Sequence, residues 1–97
     1  MTLLEVIINS PKVNYLEYKV FVEKNSVWDF KTGEESLLLI SESPCPLPYH
    51  ERVNVQELID HCKNTEYPEH MLTLTCEDTK LRFSTYFWSE DSLTLLF

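Results

Sequence analysis

Cysteine and histidine are the residues of this chain best suited to nucleophilic or metal chemistry, and there are few of either. Cys45 stands five positions before His50, and a thiol beside an imidazole is the raw material of a cysteine hydrolase. The pair lies across a proline loop and has no glycine turn to build an oxyanion hole, so the plainer reading is a loop anchor beside a surface imidazole. A zinc site would have to draw on Cys45, His50, His61 and His70. No Cys-x-x-Cys pair announces one, and Cys62, next to His61, would point about 100° away from it on a helix. Paired carboxylates occur as Glu34 and Glu35, Glu77 and Asp78, and Glu90 and Asp91. Each falls in a turn, where acids are ordinarily solvated, whereas acid–base chemistry needs two carboxylates in unlike environments within a cleft. The spacing of a calcium-binding EF-hand loop is absent. The chain has a single glycine, Gly33, which excludes glycine-rich phosphate cradles and the dinucleotide fingerprint. No metal, no cofactor and no enzymatic activity are expected.

The aromatic residues offer a different chemistry, that of recognition. If Leu81, Phe83 and Phe87 of a strand face the core, alternation puts Arg82, Tyr86 and Trp88 together on the opposite face. Arginine, tyrosine and tryptophan are the types most enriched at the centres of protein interfaces. Glu90 and Asp91 follow in the next turn and form an acidic rim. The candidate protein-binding residues are therefore Arg82, Tyr86, Trp88, Glu90 and Asp91. The competing reading packs Tyr86 and Trp88 beneath another segment, such as the proline loop.

These side chains need a scaffold, and the hydrophobic pattern suggests one. Residues 3–9 are rich in β-branched types and read as a strand stopping at Ser10 and Pro11. In residues 15–23, Leu16, Tyr18, Val20 and Val22 alternate with polar positions, predicting a strand with one buried face. A turn through residues 11–14 would make that pair antiparallel. Gly33 is expected to supply a positive φ in a turn over residues 31–34, and residues 37–41 a strand buried on both faces. Prolines at 44, 46 and 48 rule out helix and central strand, leaving a rigid extended connection. The one expected helix follows, at about residues 55–64. Asn54 is its N-cap, Glu57 sits at the capping-box position, and Val53 with Leu58 forms a hydrophobic staple. Val55, Leu58, Ile59 and Cys62 make its apolar stripe. The last third reads as a meander of strands near 72–76, 81–88 and 93–97. The expected fold is α+β: a mainly antiparallel sheet of about six or seven strands with one helix, in a single domain spanning 1–97.

Length and charge narrow the function further. The chain has 97 residues, with 16 acidic against 8 basic side chains and a net charge of −8. Such a balance disfavours direct binding to nucleic acid or anionic membranes, both of which call for lysine and arginine. The N-terminus has no basic segment preceding an apolar one, so no signal peptide is expected. Three cysteines, an odd number, point to reduced thiols and a cytoplasmic setting. The function expected is a small acidic inhibitor that blocks a protein partner, such as a basic nucleic-acid-handling protein. Toxin-immunity proteins and phage inhibitors of host defence are of this general type, although no motif here matches a particular family. The alternative is a structural subunit or adaptor using an exposed sheet face or edge, homodimerisation included.

Overall fold

The computed structural model describes residues 2–11, 14–33, 36–63, 73–76 and 83–97. The expected turn at residues 77–80, together with Leu81, Arg82 and His70, lies outside them. The fold is α+β, but the strands form two sheets and not one. One sheet has the order β2-β1-β7-β6 and the other β3-β4-β5. The strands are β1 (Lys19–Val22), β2 (Asn25–Ser26), β3 (Asp29–Gly33), β4 (Ser36–Ile40), β5 (Thr73–Cys76), β6 (Thr85–Trp88) and β7 (Ser92–Leu96). Each sheet contains a parallel pair, β1 with β7 and β4 with β5. The arrangement is therefore mixed, and the expected closing meander is broken. Among the described residues there, only the β6–β7 hairpin pairs as an antiparallel neighbour, while β5 joins β4 in the other sheet.

The N-terminal segment is a helix, α1 (Leu3–Ile8), not a strand. Its cause is local. The Thr2 hydroxyl accepts from the Glu5 amide at 3.3 Å and the Glu5 carboxylate accepts from the Thr2 amide at 3.4 Å, a reciprocal capping box. Leu3 and Val6 are buried and Ile7 packs beside them, at the three- and four-residue spacing of a helix face. Residues 15–17 form a short 3-10 helix ahead of β1, so the expected strand starts only at Lys19. Gly33 is the last residue of β3, paired with Ser36, and its φ is not positive.

The second helix, α2 (Val55–Lys63), matches the sequence reading closely. Asn54 Oδ1 accepts from the Glu57 amide at 2.9 Å, which satisfies one of the free donors at the helix start. Val53, Val55 and Leu58 are buried together, with Ile59 packed against them. The chain between β4 and β5 thus carries the proline segment and α2, the long crossover that a parallel pair requires.

The two sheets meet at Val27 and Trp28. The Val27 amide donates to the Val20 carbonyl, and the Val53 amide donates to the Val27 carbonyl. The Trp28 amide then donates to Ile40 at the end of β4. One core runs through both sheets, built from Val20, Val22, Leu93 and Leu95 on one side and Leu37, Leu39 and Leu74 on the other. No helix among the described residues is long and apolar enough to cross a membrane.

Candidate protein-binding face

The strand parity expected for β6 is reversed. Phe83 is buried, but Phe87 is 49% exposed, while Tyr86 and Trp88 pack against the core. The reason is a two-against-one mismatch with β7. Ser84 and Thr85 both face solvent. The Ser84 amide donates to Leu96, and Thr85 is the register partner of the same Leu96. This is the count of a β-bulge, and it moves every later side chain of the strand to the other face.

Tyr86 and Trp88 consequently face the underside of α1, not the proline loop. The Trp88 indole donates to the Val6 carbonyl at 3.3 Å, and the Tyr86 hydroxyl donates to the Glu5 carbonyl at 3.3 Å. Asn9, capping the end of α1, donates its side-chain amide to the Tyr86 hydroxyl at 2.6 Å. Trp88 also meets Tyr15 edge-on at 5.9 Å and Tyr18 at 6.1 Å between ring centroids. It therefore holds the 3-10 helix and the start of β1 in place.

The outer face of the four-stranded sheet follows from register. Phe87 pairs with Thr94, and Thr94 with Phe21, so the three side chains form one cross-strand row. Two residues towards the β6–β7 turn, Ser92 is paired with Lys19. Beside that pair lies a cleft of about 280 Å³, lined by Glu17, Tyr18, Lys19, Tyr49 and Asp91, with Asn14 at its end. Lys19 donates from its ammonium to the carbonyls of His50 and Arg52, at 3.2 and 2.8 Å, and stands 5.9 Å from the Tyr49 ring centroid. Its charge is thus tied to backbone oxygens, and the cleft keeps two exposed carboxylates, Glu17 and Asp91, beside two tyrosines.

Of the residues expected from sequence to bind, the structure brings Asp91 into this cleft and puts Trp88 behind its Tyr18 wall. Glu90 is exposed in the same turn, and Tyr86 lies with Trp88 against α1. Glu17, Tyr18, Lys19, Tyr49 and Phe87 were not among those residues. Phe87 could have been found only by recognising the bulge, and the cleft joins three segments distant in sequence that no local pattern links.

The remaining chemical candidates are dispersed. Cys45 turns its thiol towards the Leu47 carbonyl at 3.5 Å, and His50 is exposed on a 3-10 turn, Tyr49–Glu51. His61 stacks edge-on against Phe30 at 4.9 Å. Among the described residues no group of three or more His, Cys, Asp or Glu side chains could hold a metal ion. Compared with known proteins, the chain matches no family model, no curated protein and no solved structure at a significant level.

Proposed function

We propose that this chain is a non-enzymatic binding domain that blocks a basic protein partner through the outer face of its four-stranded sheet. The observation that carries this reading is the Glu17–Asp91 cleft with its tyrosine walls, on the same sheet face as the exposed Phe87, in a chain of net charge −8. A guanidinium or ammonium entering the cleft meets two carboxylates and two aromatic rings, the surroundings that cations favour. Phe87 supplies apolar contact at the centre, and Glu90 extends the acidic rim. The negative field of the whole molecule would speed the approach of a cationic partner. The inhibitor type expected from sequence, toxin-immunity or anti-defence, fits this mode of action. An adaptor role rests on one observation, that β6 ends the strand order of its sheet and offers an edge for strand addition.

The test is capture of the partner from the native cell, followed by its purification and kinetic binding to this protein over a range of salt. A cationic protein whose association slows as salt rises supports the inhibitor reading. Recovery of this chain alone, or a partner whose association rate ignores salt, removes it.

A further inference from the structure

The 49–52 segment borders the acidic cleft through Tyr49 and, through Arg52, a second cleft that two basic residues line. Arg52 is half-buried, and its hydrogen bonds go to neutral groups. Its Nε donates to the Leu47 carbonyl at 3.0 Å, one Nη to the Ser26 hydroxyl at 3.0 Å, and its guanidinium stands 5.9 Å from the Tyr49 ring centroid. Two of a guanidinium's roughly five N–H donors are thereby used, and the rest are left to other acceptors. The guanidinium lines a cleft of about 240 Å³ together with Lys24, Ser26, Ser41, Ser43 and the oppositely charged Glu42. Ser41 is 3% exposed, and among the described residues its hydroxyl has no hydrogen-bond partner; Ser26, at 8%, accepts from Arg52 and has no acceptor there for its own hydrogen.

A buried hydroxyl without a partner calls for an explanation, and a second one beside it that only accepts still has a hydrogen to donate, so the two can share an acceptor. A half-buried guanidinium whose described hydrogen bonds use two of its donors has further donors for the same acceptor. The geometry points to a binding site for a small oxyanion of the phosphate type, distinct in its chemistry from the protein-binding face although Phe21 borders both. Arg52 and the Ser26 and Ser41 hydroxyls would donate to its oxygens, with Lys24 at the mouth adding a second positive charge. Glu42 at the rim opposes a bare charge and so favours a ligand that is held by hydrogen bonds and not by field alone. The anion could be free phosphate or the phosphate group of a small metabolite, since both present the same acceptor oxygens.

The test is an NMR titration with inorganic phosphate at ionic strength held constant with chloride, run beside glycerol 3-phosphate. Saturable shifts of the Ser26, Ser41 and Lys24 amides are expected, with a rise in melting temperature as the site fills. Ser41→Ala should weaken binding about tenfold, the loss of one hydrogen bond to a charged group. Lys24→Gln, at an exposed position that leaves the packing intact, should weaken it about threefold. Tighter binding of the ester than of the free ion identifies a phosphorylated metabolite as the source, and the reverse identifies phosphate itself. Shifts that do not saturate, that chloride reproduces, or that a folded Lys24→Gln variant retains at full affinity overturn the site. The Lys24→Gln measurement decides the matter even if Ser41→Ala does not fold.

Discussion

Phe87 and Trp88 are adjacent and similar in type, yet they do opposite things. Trp88 is locked by an indole hydrogen bond to α1 and by two tyrosine rings, whereas Phe87 projects from the other face of the same strand. Truncating each therefore separates folding from binding. Trp88→Ala should destabilise the protein by about 2–4 kcal/mol in chemical denaturation, because a large, half-buried ring leaves a cavity. Phe87→Ala should change stability by no more than about 0.5 kcal/mol. It should instead shorten the lifetime of the complex, costing at least about 2 kcal/mol of affinity if it anchors the interface. A Phe87→Ala variant that dissociates from the partner like the parent would move the contact elsewhere. A Trp88→Ala variant of unchanged stability would contradict the packing described for α1.

At the scale of elements, the two helices owe their starts to side-chain caps, and each can be tested alone. Thr2→Ala removes the hydroxyl that accepts from Glu5, and Asn54→Ala removes the amide oxygen that accepts from Glu57. Each should cost about 1 kcal/mol. Leu58→Ala, in the core beneath α2, should cost about 2–5 kcal/mol, and a neutral result in urea unfolding would mean that the helix faces another way. The second helix was legible because cap, staple and apolar stripe all agree. The first carried an equally plain capping box at Thr2 and Glu5, but the β-branched residues of the segment argued louder by propensity, and propensity is the weaker guide. Strand pairing was less accessible still. Nothing local distinguishes β5 pairing with β4 from β5 pairing with β6, because that choice is made by burial of Leu74 beside Leu37 and Leu39. The candidate binding face was hidden twice: by one bulge, which inverted the parity of β6, and by the dispersal of the cleft over residues 14–19, 49 and 91.

For the molecule as a whole, charge acts at a distance that side-chain contacts cannot reach. A net charge of −8 sets up a field that would steer the proposed cationic partner before any contact forms, and that field is screened over about 8 Å at physiological salt. Contact and steering should therefore separate kinetically. The Glu17→Gln, Asp91→Asn double variant removes the carboxylates of the cleft, and the Glu90→Gln variant removes only a rim charge. Both should slow association with the partner, and both deficits should shrink as salt is raised. The double variant alone should also speed dissociation, because its carboxylates are the ones placed to meet a bound cation against Tyr18 and Tyr49. Stopped-flow or surface-based kinetics over a series of salt concentrations can resolve the two rates. If the double variant and Glu90→Gln alter only association, and by similar amounts, the cleft contributes field without contact and the partner's basic side chain sits somewhere else. If dissociation of the double variant alone accelerates and stays fast at high salt, a cation is held in the cleft by direct hydrogen bonds, which salt screens far less than the long-range field.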